Sequence, residues 1–101
     1  MASTRKEESN EEYLLRRVKE TGGETRKVKW LGRRGAPDRL VGWKALGRYS
    51  FVELKEKSQS WGLQDHQRRE IEWLKAIGLR VAILSSRTEI DQFITFWTHD
   101  C

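Results

Sequence analysis

Leu14, Leu15 and Val18 recur at helical spacing between residues 10 and 21, and Gly22-Gly23 closes the run. The pattern predicts an amphipathic helix with Asn10 as its cap. Alternation around Val28 and Trp30 predicts a strand ending at Gly32, and the glycine- and proline-bearing stretch 33–37 reads as a loop. Two apolar runs follow, Leu40-Val41-Gly42-Trp43 beginning near Arg39 and then residues 49–55. The few residues between them include Gly47, as in a β-hairpin. After a polar stretch at 58–62, Ile71, Trp73, Leu74 and Ile77 mark a second helix over 63–77, ended by Gly78. Residues 79–84 have the apolar, β-branched character of a buried strand. Strand, helix and strand from Phe51 to Leu84 therefore form a crossover unit, expected to be parallel and right-handed. A last helix, with Thr88 as cap and Ile90, Phe93, Ile94 and Trp97 on one stripe, is placed to cover the sheet's remaining face. The expected fold class is α/β, with the order α-β-β-β-α-β followed by a C-terminal helix, and a mixed sheet flanked by helices.

Length and charge narrow this picture. The 101 residues suit a single domain over 10–101, with residues 1–9, charged and small, as a flexible tail. A chain this short is helped by a partner subunit in burying surface. Twenty Lys and Arg against fifteen Asp and Glu leave a formal charge of +5, the balance of a protein whose ligand is a polyanion. One cysteine, Cys101, gives no intrachain disulfide and no thiolate metal cage. No apolar stretch is long enough to cross a bilayer, and the polar start lacks the apolar core of a signal peptide. An intracellular, cytoplasmic setting is expected.

The candidate chemistry lies on the hairpin. Asp38 follows Pro37 at the start of one strand, and Glu53-Leu54-Lys55 ends the other. Residues on adjacent strands that share a face stand roughly 5 Å apart at Cβ, close enough for Asp38 and Glu53 to share an ion. Glu53 and Lys55, one residue apart, project from the same face while Leu54 turns to the core. Two carboxylates and the Leu54 carbonyl suit Mg²⁺, which takes oxygen ligands, needs only one or two carboxylates and leaves positions for water and a substrate phosphate. With the Lys55 ammonium as a compact point charge, these are the parts of a metal-assisted phosphodiester hydrolase. Pro37 fixes φ and biases Ala36 toward extended backbone, presenting Asp38 rigidly, and Gly35 permits close approach of backbone to a ligand. Each residue alone has a plainer reading: an exposed ion pair on a strand for Glu53 and Lys55, a turn acid for Asp38. The combination is what points to chemistry.

Gly35-Ala36-Pro37-Asp38-Arg39-Leu40, Phe51-Val52-Glu53-Leu54-Lys55 and Leu63-Gln64-Asp65-His66-Gln67 together resemble the PD-(D/E)xK nuclease superfamily and, within it, the VRR-NUC (virus-type replication and repair nuclease) domain. The resemblance runs over residues 10–94 and implies a restriction-endonuclease-like fold. It also implies Mg²⁺, with Mn²⁺ as substitute, held by Asp38 and Glu53, and Lys55 as the catalytic lysine. The family carries a further acid on its first helix and a glutamine on its second. Glu11 lies three, four and seven residues before Leu14, Leu15 and Val18 and so is preferred to Glu12 as that acid and metal ligand; Gln67 fits the spacing to Gly78 better than Gln64. Standalone members resemble Holliday-junction resolvases and act as dimers, which implies a homodimer on branched DNA. The alternatives are a flap- or single-strand-directed nuclease and a non-catalytic nucleic-acid-binding subunit of the same fold.

Arg33, Arg34 and Arg39 flank the acids, with Lys57, Arg68 and Arg69 beyond them, as a path for DNA phosphates. Solvated surface is the plain reading for any one of them. Trp30, Trp43, Trp73 and Trp97 sit at core-patterned positions; Trp61, in a polar loop, is placed to stack on an unpaired base or to pack at a dimer interface. His66 and His99 read as surface histidines.

Overall fold

The computed structural model of the chain describes residues 7–55 and 64–99. Of the expected tail only residues 1–6 lie outside these residues, as do Lys57, Trp61, Leu63 and Cys101; Ser9, expected as tail, caps the first helix. Helix α1 spans Asn10–Glu20, β1 Glu24–Lys27, β2 Arg39–Trp43, β3 Arg48–Leu54, α2 Asp65–Ala76, β4 Val81–Leu84 and α3 Arg87–Thr98. The strands form one sheet in the order β1-β2-β3-β4, with the first two pairings antiparallel and β3–β4 parallel. Hairpin, crossover, mixed sheet and flanking helices agree with the pattern read from the sequence.

The core lies between one sheet face and the helices α1 and α3. Leu14 and Val18 of α1 and Ile90, Phe93 and Ile94 of α3 close on Val41, Trp43, Val52 and Leu84. Alternation explains the choice: Val41 and Trp43 on β2 and Val52 on β3 are each two apart from other inward positions, so one face collects them. Burying each such large apolar side chain contributes roughly 1.5–3 kcal/mol. Helix α2 packs against β4, with Ile71 and Leu74 buried outside that cluster. Polar ties join the ends of the chain: the Tyr13 hydroxyl donates to Asp91 at 2.8 Å, and the Asn10 amide to the Ser85 carbonyl at 3.3 Å.

Four expectations need correction. The first strand is Glu24–Lys27 and not the stretch around Val28 and Trp30. This edge strand is charged, so no alternation of apolar residues announces it, and Trp30, expected in the core, is half-buried outside it, its ring 5.7 Å from that of Phe51. The cap of α1 is Ser9, whose hydroxyl accepts from the Glu12 N–H while the Glu12 carboxylate accepts from the Ser9 N–H. Ser86, and not Thr88, caps α3 by accepting from the Glu89 N–H. Trp73 is not core: it is 59 % exposed, because α2 turns only its Glu70, Ile71 and Leu74 stripe inward.

Candidate active site

Register brings the two hairpin acids together. Arg39 pairs with Val52 across β2 and β3, so the preceding residue of β2, Asp38, falls opposite Glu53. Asp38 is held from both sides. The Val28 N–H donates to its carbonyl at 2.9 Å, and the Trp30 indole N–H donates to the carbonyl of buried Pro37 at 2.6 Å. The β3 side is fixed by the Lys55 N–H, which donates to the Leu84 carbonyl at 2.9 Å.

A cleft of about 300 Å³ opens at this end of the sheet, lined by Glu11, Lys27, Asp38, Glu53, Leu54 and Lys55 with Ser9 and Asn10. Burial first, and then the negative charge of Asp38, push Glu53 up to about 7, against the pull of Lys55. Among the described residues no three His, Cys, Asp or Glu side chains gather into a metal cage. The two opposed carboxylates, with open room for water and phosphate, nevertheless fit a magnesium-like ion, which needs few protein oxygens.

The other expected residues divide. Lys55 Nζ donates to Gln67 Oε1 at 3.1 Å, and the same oxygen accepts from the Gln64 N–H at 3.1 Å, so Gln67 links the lysine to the start of α2. Gly35, with φ +82°, lies where a Cβ would come 2.8 Å from the Gln67 Cα. Its close approach is therefore to α2, and not to a ligand as the sequence reading had it. Glu11 lines the cleft while Glu12 is occupied by the cap, but the Glu11 carboxylate is bound by the Arg39 guanidinium. Arg39 is correspondingly a brace for Glu11, its side chain 12 % exposed, and is poorly placed to meet phosphate. Arg33 pairs with buried Glu70 at 2.8 Å, Arg68 with Asp65 at 2.9 Å, and Arg34 is exposed.

Lys27 was missed by the sequence reading. Its ammonium lies 3.4 Å from Asp38 and 3.8 Å from Glu11, bridging the acids from β1. Only the pairing Lys27↔Arg39 reveals it, and that pairing depends on an edge strand without an apolar signature.

Opposed acids at the end of a hairpin, a lysine just beyond the same strand and a crossover to a parallel neighbour are the arrangement of a candidate nuclease site. The comparisons bear on family and fold. No family model matches the chain. It is 40 % identical over 87 residues to "Putative nuclease p44" of Acyrthosiphon pisum secondary endosymbiont phage 1, covering 81 % of this chain and 85 % of that one. A solved structure described as a VRR_NUC domain superposes with a TM-score of 0.71 at 34 % identity, covering 83 % of this chain and 88 % of the other. The chain belongs to the VRR-NUC family of the PD-(D/E)xK nuclease superfamily.

Proposed function

We propose that this nuclease is a Mg²⁺-dependent endonuclease that cuts DNA, acting on branched substrates such as four-way junctions as a homodimer. The observation that carries the chemistry is the facing pair Asp38 and Glu53 with Lys55 one residue beyond Glu53. In this reading Asp38, Glu53 and the Leu54 carbonyl hold the ion, with Glu11 at its margin. When bound, the ion supplies Lewis acidity and a nucleophilic water at neutral pH. Lys55 orients that water or offsets charge on the phosphorane, and Gln67 keeps the ammonium aimed into the cleft. Lys27 neutralises the outer edge of the acid cluster, and ion binding at Asp38 competes with it. Arg33, Arg34 and Arg68 meet the DNA backbone. One cutting site per chain makes a two-fold dimer the simplest device for paired incisions in two strands.

Labelled four-way, flap, single-stranded and duplex DNA, incubated with Mg²⁺, Mn²⁺ or chelator, test the reading. The expected outcome is ion-dependent internal cleavage, strongest on the four-way junction and abolished in Lys55→Ala. Cleavage that persists in chelator would overturn the metal assignment, and a monomer at all micromolar concentrations in solution would overturn paired cutting.

A further inference from the structure

A second and larger hollow, about 710 Å³, lies between the loop after β1 and the outward side of α2. One wall carries Trp30, Arg33 and Arg34, and the other carries Arg69 and Trp73. We propose that this groove is a docking site for an unpaired base of the DNA, separate from the cleft that cuts. The inference rests on the nuclease acting on DNA.

Four observations carry it. Trp73 exposes 59 % of its surface, an unusual placement for so large a ring. Trp30 is held in place by its bond to the Pro37 carbonyl and by contact with Phe51, so that wall is fixed before any ligand arrives. The Arg33–Glu70 pair, 2.8 Å long with Glu70 only 6 % exposed, ties loop to helix beneath the groove and sets its width. Arg34 and Arg69 make no ion pair among the described residues and leave positive charge beside the aromatic wall. Aromatic faces beside uncompensated guanidinium groups are the means by which proteins hold single-stranded nucleic acid, the rings stacking on bases and the cations meeting phosphates. A second copy of the chain is a poorer occupant. A two-fold contact through this face would set the cations of one copy against those of the other.

The position also fits the cut. Gly35 seats the loop on the backbone of Gln67, and Gln67 holds Lys55, so the groove and the catalytic lysine share one rigid wall. An unpaired nucleotide docked there anchors the strand beside the cleft. This is a physical route to preference for branched or open DNA over intact duplex.

The test uses the full chain carrying Lys55→Ala in chelator, with the probe checked for intact length after each titration, so that failure of the catalytic assignment shows as cut probe and is distinguishable from failure of this proposal. Fluorescence anisotropy with a labelled oligo-dT and with a duplex of equal length compares this protein with versions that add Trp73→Ala, Trp73→Phe or Arg34→Ala with Arg69→Ala. Trp73→Ala is expected to weaken oligo-dT binding on the order of ten-fold, with duplex affinity changed less than two-fold and Trp73→Phe restoring most of the loss. The double arginine variant is expected to weaken oligo-dT binding and to flatten its salt dependence. Unchanged oligo-dT affinity in Trp73→Ala overturns the proposal. So does a Trp73→Ala protein that loses a dimer in solution while each protomer keeps its affinity, since the face would then belong to a second copy.

Discussion

The acidic cleft and the aromatic groove are built on opposite principles. The smaller, at the end of the hairpin, is crowded with charge: Glu11, Lys27, Asp38, Glu53 and Lys55 face one another, and Glu53 is pushed up to about 7. The larger is aromatic and cationic, and its one acid, Glu70, is consumed by Arg33. Like charges brought close are costly and are kept where chemistry needs them. Rings and guanidinium groups left exposed cost little and give grip. The pairing teaches that cutting and holding are assigned here to different surfaces joined through Gly35 and Gln67.

The sharpest way to break that division is at the lysine. Lys55→Ala is expected to lower the single-turnover cleavage rate on the order of 10³-fold while leaving the circular dichroism and DNA affinity near those of the parent. A fall of less than ten-fold would place the essential charge elsewhere, with Lys27 the first candidate. The shared wall comes next. Gly35→Ala puts a side chain at φ +82° and a Cβ 2.8 Å from the Gln67 Cα, and is expected to cost about 1–3 kcal/mol in urea unfolding. It should also impair cleavage and oligo-dT binding together. Impairment of one alone would show that the hollows are independent.

A smaller effect follows from the cap that starts α1. Ser9→Ala removes the hydroxyl accepting from the Glu12 N–H and is expected to cost about 1 kcal/mol of stability. Its effect on cleavage should exceed its effect on oligo-dT binding, because the turn it loosens carries Glu11. The smallest effect concerns pH in the metal-free protein. The Glu53 carboxyl lies near 7 when folded, above its ordinary 4.5, so between those values the native state holds more proton than the unfolded chain. Its contribution to stability is therefore greatest below pH 4.5, declines as pH rises toward 7 and is flat above. Urea titrations without divalent ion should show this decline, and Glu53→Gln or saturating Mg²⁺ should remove it. A decline unchanged by both would mean that another group is responsible.

How much of this was legible in the sequence follows from what each element buries. The hairpin, α1, α2, β4 and α3 carry apolar stripes or runs, and these are the elements that the pattern marks. The pairing of Asp38 with Glu53 was legible because hairpin register is set locally. What escaped was β1, whose four residues Glu24–Lys27 are polar and whose reason for being a strand lies in β2. With it went Lys27. Arg39 was read as a phosphate contact because its charge is visible in the sequence, whereas its partner Glu11 comes from the other layer. The size and spacing of Trp73 suit a core position, but neither says which side of a helix faces solvent, and the ring is exposed. The groove it lines, with Trp30 and the loop, became visible only in three dimensions.

The ties between α1 and α3 also bear on when the site comes into being. Tyr13 to Asp91 and Asn10 to Ser85 span nearly the whole described chain, while the hairpin closes over the short turn Lys44–Leu46. Local closure is fast and contacts distant in sequence are slow. Helix α1 has no helix to pack on until α3 has formed. Asp38 and Glu53 meet early with the hairpin, and Glu11 joins them when α1 docks and its carboxylate meets Arg39 and Lys27. Refolding kinetics should register this: Val41→Ala in the hairpin slows folding, whereas Tyr13→Phe chiefly speeds unfolding. In that order the acid cluster would be complete only once α1 has docked against the sheet.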